Sequence, residues 1–262
     1  MNDGVRIERH GPVLEVTIDR PKANAIDNTT SHRLGEVFCD YRDDDELLCA
    51  ILTGAGDRIF CAGWDLKDAV ESGAHEDDDL GPGGFAGLTE LWDLDKPVIA
   101  AINGVAVGGG FELALACDLI VAVEGATFSL PETAIGVAAD AGGIQRLPRR
   151  IPHHIAMDML LTGRKMNMQE AVHWGLVNYV VDREDLRPKV YDLAHQICDG
   201  APLSIRAIKE ILRGIDGMSE REAFEAVNRR DFPTHQKMLH SEDHEEGPRA
   251  FVEKRKPNWK GR

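Results

Sequence analysis

The amino-acid sequence predicts an α/β fold followed by an all-helical end. Strand-like apolar runs alternate with helix-like apolar patterns in the first part of the chain, the succession typical of α/β proteins. After about residue 150 the patterns become mainly helical, and from Ala201 onward they are helical throughout. We therefore divide the chain into a core, residues 1–200, and a C-terminal helical region, residues 201–262.

The first three predicted elements are a strand, a helix and a strand. Alternating apolar residues predict a strand over Val13–Asp19 with one apolar face. Apolar residues at i, i+3, i+4 and i+7 predict a helix over Asn28–Tyr41. The nearly continuous apolar run Leu47–Leu52 indicates a strand that is buried on both faces.

The middle of the chain continues the series with three further strands. They are predicted over Val98–Ile102, Leu119–Val123 and Ala126–Leu130, with a glycine-rich helix between the first two. Before them, Glu71–Gly87 is acidic and then rich in glycine and proline, so we expect a mobile loop without strand or helix. A loop of this length is either a functional lid or simply disordered.

The later elements are marked by helix start and stop signals. Asn167–Glu170 and Ser219–Glu222 both have the form of a capping box. Gly163 and Gly175 are placed as helix stops, and Val177–Val181 resembles a last strand.

Composition excludes several classes of protein. The net charge of −15 argues against a nucleic-acid-binding surface. No apolar run is long enough for a membrane span, and the first twenty residues do not resemble a secretory signal. The five cysteines are odd in number and scattered, which favours reduced thiols and a cytoplasmic location.

Two glycine-rich turns carry the first chemical signal. Gly108–Gly110 separate an apolar run from a helical pattern, so backbone N–H groups there can approach a ligand oxygen, and the helix N-terminus stabilises negative charge. Phe60–Leu66 forms a second glycine turn after a strand. Two N–H groups from two loops that meet at one oxygen form an oxyanion hole. The chain contains no GxSxG, GxxxxGK[ST] or HExxH motif that would indicate other machinery.

These motifs together resemble the enoyl-CoA hydratase/isomerase (crotonase) superfamily over nearly the whole chain. The resemblance implies a crotonase (ClpP/crotonase-like) spiral of ββα repeats with a C-terminal helical trimerisation region, assembled as a homotrimer or a homohexamer of two trimers. The segments that carry it are Ala62–Asp65, Asn103–Glu112, Pro131–Glu132, Gly142–Leu147 and Phe251–Arg255.

Other segments resemble a narrower group within the superfamily, the hydro-lyases that interconvert crotonobetainyl-CoA and L-carnitinyl-CoA in carnitine metabolism. They are Pro21–Asp27, Ala62–Lys67, Gly81–Glu90, Leu239–Asp243 and the end of the chain up to Arg262. A general short-chain enoyl-CoA hydratase or isomerase is the alternative. A third interpretation is a binding protein that keeps the fold without catalysis.

The resemblance assigns the central site residues. It implies that the backbone N–H groups of Trp64 and Gly109 hold the thioester oxygen, and that Glu112 and Glu132 are the acid and base. Hydration needs a base to activate water and an acid to protonate Cα, which two carboxylates can supply if their protonation states differ. We assign Glu112 mainly to the water and Glu132 mainly to the Cα proton. Taken singly, Glu112 could instead only stabilise its helix dipole, and Glu132 could be a surface residue.

The remaining expectations concern substrate binding. A trimethylammonium group is held by aromatic faces and nearby negative charge, although tryptophan is usually core and Asp140 could simply form a turn. No metal or other cofactor is expected: coenzyme A enters as the substrate thioester, and His240 and His244, at i and i+4, lack a third ligand. By similarity, the CoA-binding residues are Lys22, Ala23, Ala25, Ala62, Asp65, Leu66 and Lys254. Lys254 would reach over from a neighbouring subunit, or it is simply solvated. The candidates for the cation pocket are Trp64, Phe85, Trp92, Asp140 and Glu90.

Overall fold

The computed structural model of the protein describes residues 4–73 and 78–262, which form two β-sheets surrounded by helices. The strands are β1 (Val5–His10), β2 (Val13–Ile18), β3 (Cys49–Gly54), β4 (Ile59–Cys61), β5 (Val98–Ile102), β6 (Val105–Val107), β7 (Leu119–Val123), β8 (Thr127–Ser129), β9 (Met166–Asn167) and β10 (Tyr179–Val181).

The helices include the predicted ones after Asn28 and after the glycine-rich turn, together with two that were not predicted, at Leu66–Ser72 and Gly143–Arg150. They are α1 (Asn28–Asp43), α2 (Leu66–Ser72), α3 (Gly109–Ala116), α4 (Gly143–Arg150), α5 (His153–Thr162), α6 (Met168–His173), α7 (Leu186–Cys198), α8 (Pro202–Gly214), α9 (Glu220–Arg229), α10 (Pro233–Leu239) and α11 (Glu242–Glu253). Short 3₁₀ helices are formed by Phe85–Gly87, Glu132–Ile135 and Arg183–Asp185.

Two sheets run side by side through the core. The larger has the order β1-β2-β3-β5-β7-β10 and is parallel except for the β1–β2 pair, while the smaller has the order β4-β6-β8-β9. Successive turns of the chain place one strand in each sheet and then a helix, as in β3-β4-α2 and β5-β6-α3. The predicted α/β spiral of ββα repeats is therefore confirmed.

Strand β2 is more deeply buried than its alternating pattern predicts, because all six of its residues are buried. Helix α7 packs across β2 and β3 on the second face. On that face Glu15 accepts a hydrogen bond of 2.5 Å from the Tyr191 hydroxyl and lies 3.2 Å from the Arg187 guanidinium. A buried carboxylate is tolerated there because it is hydrogen-bonded and paired.

The two predicted capping boxes differ in the structure. The Ser219–Glu222 box is complete in both directions. Asn167 also caps its helix by accepting from the Glu170 N–H, but the Glu170 carboxylate pairs with Arg164, at 2.6 and 2.8 Å, instead of returning to the cap. The predicted helix stops Gly163 and Gly175 both have positive φ, at 65° and 72°.

The prediction that Glu71–Gly87 lacks regular structure is wrong at both of its described ends. The segment begins inside α2 and ends in the 3₁₀ helix Phe85–Gly87, whose residues are buried. The Ser31 hydroxyl of α1 donates to the Leu80 carbonyl at 2.7 Å and accepts from the Ala86 N–H at 3.0 Å. These contacts hold residues 80–87 on α1; residues 74–77 lie outside the described part of the chain.

The C-terminal helices pack on one another and on the core. Helix α10 lies against α8, and the end of the chain folds back so that Asp243 accepts from the N–H groups of Lys260 and Gly261 at 2.6 and 2.9 Å. The division at residue 200 stays a prediction. In the described ranges, no helix combines the length and the apolar character needed to cross a bilayer.

Gly35 tests whether the contact between α1 and the 80–87 segment is tight. A Cβ at Gly35 would lie 2.3 Å from the Pro82 carbonyl oxygen, so Gly35→Ala should destabilise the protein by about 1–3 kcal/mol, although glycine to alanine normally stabilises a helix interior. Gly125→Ala, which meets no atom within 4 Å, is the control. Urea denaturation of both variants measures this, and a Gly35→Ala protein as stable as wild type would contradict the contact.

Candidate active site

Two backbone segments meet where the smaller sheet ends. Gly63 follows β4, and Gly109 opens α3 after β6, the strand beside β4. Gly63 has φ +84°, and a Cβ there would lie 2.7 Å from the Gly109 nitrogen. Only glycine allows the two chains to approach this closely.

The contact leaves the N–H groups of Trp64 and Gly109 available for a ligand. The Ile26 N–H donates to the Gly63 carbonyl, and the Asp65 N–H donates to the Ile26 carbonyl. The N–H of Trp64, between them, points away from Ile26, as alternation along an extended chain requires. Within residues 4–73 and 78–262, neither this N–H nor that of Gly109 has a backbone acceptor. Gly109 is the first residue of α3, so its N–H has no partner within the helix.

Glu112 lies in the first turn of α3 and is 3% exposed. Its Oε1 accepts a hydrogen bond of 2.9 Å from the backbone N–H of Gly143, the first residue of α4. The N-terminus of α4 therefore faces the carboxylate and favours its charged form. One helix thus carries the carboxylate and a second helix holds it.

Burial sets the ionisation of Glu112. Loss of water raises the pKa of its carboxyl group, the Gly143 hydrogen bond lowers it, and the nearby charges of Glu132 and Asp140 raise it again, so that the pKa is about 7. A carboxyl group with a pKa of about 7 can give or take a proton at neutral pH, which is what acid–base catalysis needs.

Glu132 is half-buried at the start of the 3₁₀ helix Glu132–Ile135. Its carboxylate lies over Gly108, where a Cβ would come within 2.9 Å of Glu132 Oε1. Gly108, with φ +55°, directly precedes the Gly109 N–H. The second carboxylate is thus placed beside the two available N–H groups.

One cavity of about 280 Å³ joins these groups. Both glutamates, Trp64 and Gly109 line it, and most of the remaining wall is apolar. A small apolar cavity with a few convergent polar groups is the usual form of a ligand site. The rest of the wall comes from Ala62, Leu66, Leu80, Phe85, Val107, Gly108, Pro131, Ala134, Ile135, Val137, Ala138, Asp140 and Ala141.

The structure brings together three of the cation-pocket candidates and separates a fourth. Phe85 and Trp64 line the cavity with ring centroids 6.1 Å apart, and Asp140 lines the same cavity. Trp92 does not belong to the cavity: its ring is 63% exposed in a separate groove, where the Arg146 guanidinium lies 5.6 Å from the ring centroid. The turns at Thr89 to Trp92 carry it away from Phe85.

Most of the predicted CoA-binding residues form one cluster. The Ala62 N–H donates to the Ala23 carbonyl at 3.1 Å, which joins the loop after β2 to the loop after β4. Ala62 and Leu66 line the cavity, while Lys22 is exposed on the neighbouring loop.

Arg20 stabilises this cluster. Its guanidinium donates to the Ala25 carbonyl at 2.5 Å and pairs with Asp27 and Asp65 at 2.6 and 3.0 Å. Asp65 also caps α2 by accepting from the Asp68 N–H. The carboxylate of Asp65 is therefore occupied by contacts within the protein. The prediction that Asp65 binds CoA can then concern only its backbone groups.

The C-terminal candidates lie elsewhere in the fold. Lys254 is exposed at the end of α11 with φ +54°. His240 follows α10 whereas His244 lies inside α11, so the two histidines do not share one helix as their spacing predicted. In the part of the chain that the structure describes, no three His, Cys, Asp or Glu side chains converge as a metal site.

Two functional features escaped prediction from the sequence. In the sequence the Gly142–Gly143 turn is visible only as part of a motif. The hydrogen bond from the Gly143 N–H to Glu112 was not predicted. Two glycines directly before a helix could have indicated an anion-binding N-terminus, but nothing in the sequence shows which anion meets it. Arg146, one turn later, was also missed.

Three comparisons show which known proteins the chain is similar to. A family model described as enoyl-CoA hydratase/isomerase matches residues 8–262. The chain is 53% identical to the carnitinyl-CoA dehydratase of Citrobacter koseri and 54% identical to that of Proteus mirabilis, over the full length of each protein. It also superimposes on the crystal structure of an enoyl-CoA hydratase from Mycobacterium tuberculosis H37Rv with a TM-score of 0.90, at 38% identity and with both chains fully covered.

The raised pKa of Glu112 predicts how stability varies with pH. Between the ordinary pKa of 4.5 and the folded pKa of about 7, the unfolded chain has lost the proton that the folded chain keeps, so wild-type stability falls as pH rises. Glu112→Gln removes this loss and keeps an acceptor for the Gly143 N–H. The stability gained by Glu112→Gln should therefore grow across this window and then level off, by at most about 3 kcal/mol.

Chemical denaturation at pH 5, 6, 7 and 8 measures the difference in free energy of unfolding. Glu36→Gln, at an exposed position on α1, is the matched control and should follow the wild-type pH dependence. A difference between Glu112→Gln and wild type that does not change with pH would contradict the raised pKa.

Proposed function

The chain belongs to the enoyl-CoA hydratase/isomerase family, and on this basis we propose that it reversibly hydrates crotonobetainyl-CoA to L-carnitinyl-CoA. The observation that carries the proposal is 53–54% identity, over the full length, to relatives named carnitinyl-CoA dehydratase. The cavity supports a hydro-lyase because two carboxylates and two available backbone N–H groups line it together.

The oxyanion hole of this mechanism is formed by Trp64 and Gly109. Their N–H groups bind the thioester carbonyl oxygen of the substrate. Addition of water at Cβ moves electrons toward this oxygen, and the two donors stabilise the resulting enolate because they are already oriented in a largely apolar cavity. The helix α3 N-terminus at Gly109 adds the favourable end of its dipole.

Glu112 and Glu132 supply the proton transfers. Ionised Glu112 takes a proton from water as the water oxygen bonds to Cβ, and protonated Glu132 gives a proton to Cα of the enolate. The C=C double bond is thereby replaced by one C–O and one C–H bond, and the second proton of water is left on Glu112. Transfer of one proton from Glu112 to Glu132, through solvent, restores the starting state. In dehydration each group acts in reverse. The pKa of about 7 at Glu112 makes both of its protonation states available near neutrality.

Hydration involves no net oxidation or reduction of the substrate and water together. The proton transfers can be carried by the two glutamates, so we propose that the reaction uses no metal or redox cofactor. Coenzyme A enters only as part of the substrate.

The same cavity supports a site for the trimethylammonium group. This cation has no N–H to donate, so aromatic faces and a negative charge are the groups suited to it. Trp64, Phe85 and Asp140 are such groups, and they line the cavity together with Glu112. We assign the cation to these three side chains and not to Trp92.

The nucleotide end of CoA is assigned to the loop cluster beside the cavity. Ala62 and Leu66 line the cavity, the Ala62 N–H donates to the Ala23 carbonyl, and Lys22 is exposed on that neighbouring loop. Local positive charge is required because CoA phosphates approach a chain of net charge −15. Lys254 would contribute from a neighbouring subunit.

A homotrimer, or a homohexamer of two trimers, is proposed for the assembly. The C-terminal helices expose large apolar side chains, which on a folded chain mark interaction surfaces. The exposed apolar side chains on the C-terminal helices are Ile208, Leu212, Phe224, Phe251 and Val252.

For the compartment we propose the cytoplasm, since all five cysteines are free thiols.

Substrate preference and the two glutamates test the reaction. We expect a higher kcat/KM for crotonobetainyl-CoA than for crotonyl-CoA, measured as loss of enoyl-thioester absorbance. Glu112→Gln and Glu132→Gln should each lower kcat by about 10² to 10⁴. Preference for crotonyl-CoA would favour a general short-chain hydratase. Wild-type rates in both variants would overturn the two-glutamate mechanism, and a wild-type protein that turns over neither substrate would favour a binding protein without catalysis.

The cation site is tested by the ratio of the two kcat/KM values. Trp64→Leu and Asp140→Asn should each reduce the preference for crotonobetainyl-CoA by roughly 5- to 30-fold, as expected for about 1–2 kcal/mol of cation binding. Trp92→Leu, outside the cavity, should leave the ratio at its wild-type value. Equal losses on both substrates in Trp64→Leu would remove the cation-site assignment.

A further inference from the structure

Arg146 does not line the cavity, but it contacts two segments of the chain that lead to it, one at Thr89 and the other at Gly142. It lies in α4, one turn after Gly143, and its side chain is half-buried. Its Nη2 donates to the Thr89 carbonyl at 2.5 Å, and its Cζ lies 5.6 Å from the centroid of the Trp92 ring. Its Nη1 lies over Gly142, where a Cβ would come within 2.2 Å of it.

Each of these contacts leads to a part of the site. Thr89 donates through its hydroxyl to the Phe85 carbonyl at 3.0 Å, so it is tied to the segment that forms the aromatic wall. Gly142 directly precedes Gly143, whose N–H donates to Glu112. Arg146 therefore joins the aromatic wall to the turn that orients Glu112.

We propose that Arg146 is a positioning residue, which holds the Gly142–Gly143 turn at its distance from Glu112 and places a positive charge near that carboxylate. This inference rests on the proposed function only in that Glu112 is taken to act in a hydration. It applies to any enoyl-CoA that the enzyme hydrates.

The charges around Glu112 give the direction of the effect. Glu132, from the 3₁₀ helix after β8, and Asp140, from the loop before α4, both raise the pKa of Glu112, whereas Arg146, from α4, lowers it. Burial and the Gly143 hydrogen bond have larger effects on this pKa. Arg146 is thus the cation of α4 that opposes two carboxylates at the site.

The pH profile separates this role from a merely structural one. Loss of Arg146 would raise the pKa of Glu112. Since ionised Glu112 is the base in hydration, the variant would lose activity at a higher pH than the wild type when the pH is lowered. A residue that only stabilises α4 would change protein stability without moving this midpoint. Lysine keeps the charge but cannot present a planar group to Thr89 and Trp92 together.

The experiment compares Arg146→Gln and Arg146→Lys with Arg149→Gln, a matched control on the exposed part of the same helix. The pH profile of kcat/KM for hydration is measured with crotonyl-CoA and with crotonobetainyl-CoA. We expect Arg146→Gln to move the acid midpoint upward by about half a pH unit or more and to lower kcat about tenfold or more, because a small displacement of the base is costly. Arg146→Lys should keep the midpoint and lose kcat, and Arg149→Gln should match wild type.

An unmoved midpoint in Arg146→Gln, or an equal shift in Arg149→Gln, would overturn the proposal. If Arg146→Gln does not fold, Arg146→Lys decides: a kcat at least fivefold lower with KM within twofold supports positioning, and a wild-type kcat overturns it. If crotonyl-CoA alone is a substrate, the assignment to crotonobetainyl-CoA fails, but the role of Arg146 can still be tested with crotonyl-CoA. If neither is turned over, ¹³C NMR of labelled glutamate, assigned with Glu112→Gln, shows whether the Glu112 pKa rises in the variant.

Discussion

The contact between the backbones of Gly63 and Gly109 determines the geometry of the whole site. A side chain at Gly63 would lie 2.7 Å from the Gly109 nitrogen and would force the two loops apart. The two available N–H groups lie at this contact, both segments line the cavity, and Glu132 lies over Gly108 in one of them. The parallel pairing of β4 with β6 brings the loops together, and glycine lets them touch.

Around this contact the protein balances opposing effects on one carboxyl group. Burial favours protonated Glu112, whereas the N-terminus of α4 and the charge of Arg146 favour the ionised form. The result is a pKa of about 7, between that of an exposed glutamate and that of a permanently protonated one. A carboxyl group held in this way can exchange protons near neutrality.

Local patterns predicted much of the fold because strands and helices follow residue periodicity. The strand at Val98–Ile102 and the start of α1 at Asn28 were predicted with the bounds that the structure has. The 3₁₀ helix at Phe85–Gly87 was not predicted, since residues 80–87 are held by Ser31 and Gly35 on α1, which are distant in sequence. Contacts of this kind leave no periodic signal.

For the site, residue types and their spacing were the basis of the predicted chemistry: two glycine turns for an oxyanion and two glutamates, Glu112 and Glu132, with a resemblance that indicated the family. Which groups share the cavity emerged only from the folded chain. Folding placed Phe85 and Asp140 in the wall and Trp92 outside, and it turned the Asp65 carboxylate toward Arg20. This division arises because residue type and spacing specify what a group can do, whereas its partner depends on distances between segments that are far apart in the chain.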